Sequence, residues 1–384
     1  MQWSAQKINI FDHHGNAGKD TKMKFVTRED INTEKWKELL DEAVKEGAYP
    51  CYAAAVGRGN ELFFREIGGN RACYPEPIPL TEDTLFDMAS LSKLMGTAMA
   101  ALRLIEQGRL RLTDRVGDFF DNCYGKEDIT IYQLMTHTSG IPAFFHMWKM
   151  NIAPEDAARV ILEHPLAAPT GTTVIYSCMG YILLGKILEK ICGESLDRIV
   201  TREVLDPLGM KDTCYCPQEG RICVATEKKL DSDGYICGHV HDENAYSIGG
   251  ISGNAGLFST LDDCITFASL LSRDAEGFLE KSTFDLAVTD HTEQLSDSAR
   301  GLGFHMFREK IYPGGTKMSR GSYGHSGFTG TYIYVDKETK VFCILLSNRV
   351  HFGRDTPRFF ECKQKFFDTV FADIREGGVI DLGK

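Results

Sequence analysis

Two residues three positions apart, Ser90 and Lys93, have side chains that can carry out acyl transfer. Residues at this spacing lie on one face of a helix, so the Lys93 amine can reach the Ser90 hydroxyl. A serine attacks a carbonyl group when a base takes its proton and hydrogen-bond donors stabilise the oxyanion. A buried lysine with a lowered pKa can be that base, and a helix N-terminus supplies backbone N–H groups. The pair therefore predicts a nucleophilic serine.

Serine followed three residues later by lysine is a weak signal alone, and Ser4 and Lys7 form a second copy in a polar stretch. Ser90, in contrast, opens a proline-free pattern that extends to Gln107. Gly108 follows as a natural helix end. Apolar residues recur near the helical period at Leu91, Leu94, Met95, Ala98, Leu102 and Ile105. The pattern predicts a buried helix that begins at the nucleophile.

Two further stretches could complete such a site. Tyr176 precedes an apolar helical pattern over residues 179–192, where its hydroxyl could face a cleft and carry protons beside a lysine. Residues 325–327, with the sequence His-Ser-Gly, open a strand in which glycine permits close approach of a ligand. An exposed N–H group of such a strand could then be a second oxyanion donor. Most tyrosines have no such role, and the small strand residues are also compatible with a bulge.

The elements that must position these residues change from sheet to helix and back. Sheet patterns at both ends of the chain predict an α/β domain (residues 25–87 and 260–384) with an inserted helical domain (88–259) and the active site between them. Residues 1–24 are predicted to be a tail. We predict a hairpin of residues 51–56 and 62–67, helices over 36–44, 261–272 and 359–374, and strands over 303–307, 325–335 and 341–347. The apolar face of the last helix is predicted to contain Phe360, Phe366, Phe367, Val370 and Phe371.

Composition restricts the classes of function. The chain has 384 residues, of which 43% are hydrophobic and 25% charged, as in soluble globular proteins. Its formal net charge of -11 argues against nucleic acid and anionic membranes as partners. No run of apolar residues has the length of a membrane span or of an export signal. The chain has 12 cysteines, mostly in apolar patterns. Because no export signal is found, they predict reduced thiols and a cytoplasmic protein.

In this order, the motifs resemble those of serine β-lactamases and penicillin-binding proteins, specifically the class C β-lactamase-like esterases and peptidases. Residues 90–93 match the family's Ser-x-x-Lys motif, residues 176–178 stand at its Tyr-x-Asn position, and residues 325–327 stand at its Lys/His-Thr/Ser-Gly position. Residues 134–140, with the sequence LMTHTSG, and the stretches 240–245 and 249–259 are similar to other runs in the family. The resemblance covers about residues 25–375 and implies an antiparallel sheet flanked by helices.

The resemblance implies an acyl-serine mechanism without a cofactor. Ser90 would attack a carbonyl group while Lys93 and Tyr176 take up its proton, and His325 would be the fourth catalytic residue. The N–H groups of Ser90 and Phe328 would bind the oxyanion. The residues expected at the substrate are Ser326, Gly327, Phe328, Cys178, Phe145 and Trp148. The last two belong to an aromatic loop that either forms a wall of the cleft or packs in the interior.

Two departures from the family pattern favour an esterase over a D-amino acid peptidase or a β-lactamase. Cys178 replaces the asparagine, and a thiol is a weak donor and a weak acceptor. His325 replaces the lysine of β-lactamases. Histidine is only partly charged near neutral pH, so a weaker anchor for a substrate carboxylate is expected. The predicted substrate is a small-molecule ester or amide.

The sequence leaves three alternatives open and does not predict the oligomeric state. One is acyl transfer to an acceptor other than water. Another is a ligand-sensing protein that has lost turnover. The third is a metal site built from Cys214, Cys216, Cys223, Cys237, His239 and His241. Their spacings match no familiar zinc-ligand set, so we predict no metal.

Overall fold

The computed structural model describes residues 23–28, 31–229, 234–308 and 314–377. The predicted tail therefore lies almost entirely outside the described residues. The strands are β1 (Lys24–Phe25), β2 (Cys51–Arg58), β3 (Glu61–Ala72), β4 (Ile78–Pro79), β5 (Phe86–Asp87), β6 (Cys214–Tyr215), β7 (Ala225–Lys228), β8 (Tyr235–Cys237), β9 (Leu257–Ser259), β10 (His305–Met306), β11 (Tyr323–Gly327), β12 (Thr331–Val335) and β13 (Val341–Ser347). The helices are α1 (Thr33–Lys45), α2 (Met99–Glu106), α3 (Ile131–Met135), α4 (Ala157–Glu163), α5 (Cys178–Cys192), α6 (Leu196–Val200), α7 (Asp206–Leu208), α8 (Glu243–Ser247), α9 (Leu261–Ser272), α10 (Lys281–Ala287) and α11 (Pro357–Glu376).

The main sheet combines strands from both ends of the chain. Its order is β1-β3-β2-β13-β12-β11-β10, with β4 paired to β3. All of these pairs are antiparallel except β1 with β3. The predicted hairpin is confirmed as β2 and β3, which are longer than predicted and joined through Gly59 and Asn60. The predicted antiparallel sheet flanked by helices is therefore confirmed.

The sheet separates two apolar cores, because alternate residues of a strand face opposite sides. In β13, Ile344 and Leu346 belong to the core that contains α9. Cys343 and Leu345 belong to the core formed with α1 and α11. The predicted helices 261–272 and 359–374 are confirmed as α9 and α11. Phe360 was wrongly placed on the buried face of α11, since 46% of its surface is exposed.

The predicted single strand over residues 325–335 is wrong, because the chain turns between Gly327 and Thr331. Gly330 has φ of +112°, a left-handed conformation that glycine adopts readily. The resulting strands β11 and β12 pair with each other. β10 covers only Tyr323 and Gly324 of β11. Among the residues that the structure describes, no strand pairs with residues 325–327 on this side of β11, so they form a sheet edge.

The helix predicted to begin at the nucleophile is confirmed. It runs over residues 91–106, contains a π-helical segment Lys93–Ala98, and is followed by Gly108 at φ +69°. Such π segments are frequent at functional sites. Most of the regular secondary structure within residues 88–259 is helical, and the same stretch contributes β6 to β9. The two predicted domain boundaries, after residues 87 and 259, lie at the ends of β5 and β9, and these two strands pair with each other.

Candidate active site

A cleft of about 770 Å³ opens where the nucleophile turn meets the uncovered edge of β11. Its lining contains Ser90, Tyr176, Cys178, His325, Ser326, Gly327 and Phe328. Residues from three distant parts of the sequence are thus brought together. Lys93 lies directly behind this wall, fully buried.

The amine of Lys93 contacts the proposed nucleophile. Lys93 Nζ donates a hydrogen bond to Ser90 Oγ at 3.0 Å and another to the carbonyl oxygen of Asn254 at 2.8 Å. Asn254 belongs to the glycine-rich stretch 249–259. This stretch therefore fixes the amine on the side away from the serine.

The pKa of Lys93 differs from the expectation of a lowered value. Burial lowers it, but the acidic groups of Cys178, Tyr176 and Asp242 act in the other direction. Together they raise the pKa of Lys93 above its ordinary value. Lys93 is therefore an ammonium group in the resting site, and the site must lose a proton before a base is present.

Two cations lie close to the Tyr176 ring. Lys93 Nζ and Arg300 Cζ are each 5.0 Å from the centre of its ring. The Tyr176 hydroxyl is buried, and with the described residues it forms no hydrogen bond of normal distance and angle. A buried hydroxyl in this state can bond a reacting oxygen or nitrogen once a substrate is present.

The LMTHTSG run, residues 134–140, supports the Tyr176 segment from behind. The carbonyl oxygen of His137 accepts the N–H of Ile175 at 2.9 Å, and His137 Nδ1 accepts that of Ser177 at 3.0 Å. Burial and the charges of Arg300 and Lys93 hold the pKa of His137 well below its usual value. The imidazole is therefore neutral, as an accepting Nδ1 requires.

Two backbone N–H groups are available to bind an oxyanion. Within the described part of the chain, the N–H groups of Ser90 and Phe328 have no hydrogen-bond partner. The β11–β12 turn docks on the nucleophile turn because Thr331 Oγ1 donates to the carbonyl oxygen of Met88 at 3.2 Å. A Cβ atom at Gly327 would lie 2.4 Å from that oxygen, so only glycine permits this approach.

His325 is not the partly charged group that we expected. Burial and the charges of Lys93 and Arg300 lower its pKa to about 3, so its imidazole is neutral at pH 7. His325 Nδ1 lies 2.9 Å from the amide nitrogen of Ser326 and 2.8 Å from its carbonyl oxygen. A neutral His325 cannot anchor a carboxylate by charge.

Arg300, a cation in the lining of the cleft, is not predicted from the sequence. Arg300 is 8% exposed. Its backbone forms an isolated antiparallel β-bridge with His305, beside β11. Burial and the Arg300 charge hold the pKa of His305 well below its usual value. A single arginine in a loop region gives no signal of its position, because tertiary contacts place it there.

The aromatic loop contributes a different residue from those predicted. Phe144 lines the cleft. Phe145 instead stacks on His164, with ring centres 4.3 Å apart. Trp148 is 40% exposed and does not line the cleft, and its backbone N–H donates to Asn244 Oδ1. Phe144 therefore forms part of the cleft wall, and Phe145 and Trp148 do not.

No group of three or more His, Cys, Asp or Glu residues suited to a metal ion occurs among the residues that the structure describes. In the same ranges, no helix is both long and apolar enough to cross a membrane.

The Beta-lactamase family profile matches residues 36–359, which is most of the chain. The chain belongs to the β-lactamase family. A Bacillus subtilis protein named N-acetylmuramyl-L-alanine amidase is 31% identical over 331 residues, covering 75% of this chain and 74% of that protein. An Escherichia coli K12 protein provisionally named D-alanyl-D-alanine carboxypeptidase is 29% identical over 360 residues, covering 82% of this chain and 83% of its own length.

A solved structure shares the fold of this chain. EstCE1, described as a hydrolase with promiscuous acyltransferase activity, superimposes with a TM-score of 0.74 at 18% identity. The match covers 88% of this chain and 98% of EstCE1. At this identity, the likeness shows the fold alone.

Proposed function

We propose that this β-lactamase-family chain hydrolyses an amide bond through an acyl-Ser90 intermediate, in a small substrate that carries a carboxylate near the scissile bond. The observation that carries this proposal is the hydrogen bond of 3.0 Å from Lys93 Nζ to Ser90 Oγ, beside a buried Tyr176 hydroxyl.

The reaction requires the form of the Lys93 and Tyr176 pair that has lost one proton. Ser90 Oγ forms a bond to the carbonyl carbon while its proton passes to Tyr176 Oη. The N–H groups of Ser90 and Phe328 stabilise the oxyanion. The C–N bond then breaks, and the leaving amine takes the proton from Tyr176. Water repeats the sequence, releasing the acid and free Ser90.

Two observations support an amide with a carboxylate. The names of both relatives refer to cleavage of amide bonds. Arg300 places a buried guanidinium in the cleft, 5.0 Å from the Tyr176 ring. Guanidinium groups match carboxylates by charge and by planar geometry. Arg300 therefore replaces the anchor that a neutral His325 cannot supply.

Ester hydrolysis is the second candidate, as the sequence favoured. One of the two reasons for an ester was the lack of a strong carboxylate anchor, and the Arg300 guanidinium can be that anchor. The other reason remains, because Cys178 lines the cleft where the family has an asparagine amide. The cytoplasmic location also stays a prediction.

One set of matched substrates tests the proposal. Wild type and Ser90→Ala would be incubated with N-acetyl-D-alanyl-D-alanine, with its carboxamide form and with a short-chain p-nitrophenyl ester, and the products measured by mass spectrometry. We expect the wild type to cleave the free carboxylate best and Ser90→Ala to cleave nothing. Ester cleavage without amide cleavage would select the second candidate. Added alcohols or amines that appear in the product would indicate acyl transfer, and no product at all would favour a sensor.

A further inference from the structure

The residue before the nucleophile has an unfavourable backbone conformation. Ala89 has φ of +45°, in the left-handed region that residues with a Cβ atom disfavour. Alanine has no polar side chain with which to stabilise this conformation. Ser90 follows directly, so the orientation of its N–H and hydroxyl depends on whatever holds Ala89 in place.

The group that holds it is the carboxylate of Asp87. Asp87 Oδ1 accepts the Ala89 N–H at 2.8 Å, two residues further along the chain. This is the local bond by which aspartate stabilises tight turns. Asp87 is only 1% exposed, so little water competes for its oxygen atoms.

The same carboxylate binds a second segment that borders the cleft. Asp87 Oδ2 accepts the N–H of His241 at 2.7 Å. His241 lines the cleft, and its Nε2 lies 2.8 Å from Glu227 Oε2. The backbone carbonyl of Asp87 also accepts Thr329 Oγ1 at 2.7 Å, which ties the β11–β12 turn to the same residue.

We propose that Asp87 is a positioning residue for acyl transfer: its two carboxylate oxygens hold the left-handed Ala89 turn against the His241 segment and so aim Ser90 into the cleft. This inference rests on the proposed role of Ser90 as the nucleophile. Asp87 touches neither the substrate nor a reacting atom in this scheme. Its removal should therefore lower kcat and leave KM nearly unchanged.

Asp87→Asn is the isosteric test, because an amide has one accepting oxygen and presents N–H groups on its other side. The readouts are the rate at which a fluorophosphonate labels Ser90, and kcat and KM for a p-nitrophenyl ester. We expect labelling and kcat to fall at least tenfold, with KM changed less than twofold. In the double variant Asp87→Asn with Ala89→Gly, glycine adopts the turn without strain, so we expect most of the labelling rate to return.

A matched control is Asp263→Asn. Asp263 is also a buried carboxylate, and its Oδ2 accepts the N–H groups of Asp212 and Thr213 at 2.9 and 2.7 Å. It does not line the cleft. The folded control should label at the wild-type rate, which separates loss of a buried carboxylate from loss of this one.

The outcomes are distinct. If the wild type is not labelled, the proposed function fails and this inference fails with it. If the wild type is labelled and folded Asp87→Asn is labelled as fast, only this inference is overturned. A double variant that does not fold, or that folds and labels no faster than Asp87→Asn, also overturns it. Recovery by glycine supports it even where Asp87→Asn alone is too unstable to assay.

Discussion

The guanidinium carbon of Arg300 lies 5.0 Å from the centre of the Tyr176 ring. A buried cation therefore borders the residue proposed to carry the proton. Any anion that Arg300 binds would lie beside the scissile bond.

Replacing Arg300 should discriminate between charged and neutral substrates. Hydrogen bonds to charged groups contribute roughly 1.5–3 kcal/mol, which corresponds to about a 10- to 150-fold change in binding. We expect Arg300→Gln to raise KM by that factor for N-acetyl-D-alanyl-D-alanine and much less for its carboxamide. Arg300→Lys should give an intermediate KM, because it keeps the charge and loses the planar fork. An equal change for both substrates would mean that Arg300 does not bind the carboxylate.

The rate of acylation should rise with pH. The pKa of Lys93 is raised, so deprotonated Lys93 is a minor species at neutral pH. Below that pKa, each pH unit should increase the labelling rate about tenfold. The measurement is fluorophosphonate labelling between pH 6 and 9, corrected for hydrolysis of the reagent without protein. A labelling rate that is constant or falls across this range would contradict a protonated resting Lys93.

Stability should decrease as the solution becomes acidic. His137, His305 and His325 have lowered pKa values in the folded protein, about 3 for His325, and they are neutral there. In the unfolded chain they take up protons below about pH 6.5. Stability from these groups is thus complete above that pH and is lost as the pH falls toward the folded pKa values. Each group contributes up to roughly 1.4 kcal/mol per pH unit.

The difference between wild type and His305→Gln isolates one of these protons. Chemical unfolding at pH 7.5, 6 and 5 gives the unfolding free energy as a function of pH. Its loss toward low pH should be smaller for the variant, because unfolding of the variant takes up about one proton fewer. The carboxyl groups are the same in both proteins, so their contributions cancel. Identical slopes would show that His305 is not neutral in the folded state.

The sequence predicts those parts of the fold that depend on local pattern. The hairpin of β2 and β3 and the helix at Ser90 follow from apolar periodicity and from glycine at their ends, and the helix α9 follows from apolar periodicity alone. The turn before Gly330 was missed because Phe328 and Thr329 favour strands and alternate with their neighbours. The reversal is visible in the antiparallel pairing of β11 with β12 and in the positive φ of Gly330.

The chemistry of the site was less accessible, because charge states depend on tertiary contacts. The pattern indicated Ser90, Lys93, Tyr176 and His325, and the structure places them around one cleft. It could not indicate that burial keeps His325 neutral or that nearby acidic groups raise the pKa of Lys93. Arg300 could not be assigned for the same reason.

The acyl-serine mechanism is tested most directly by identifying the nucleophile. Wild type and Ser90→Ala would be treated with a fluorophosphonate, and intact mass and peptide mapping would locate any adduct. We predict one adduct on Ser90 of the wild type and none on the variant. A wild type that forms no adduct, or a Ser90→Ala variant that is still labelled, would contradict the acyl-serine mechanism.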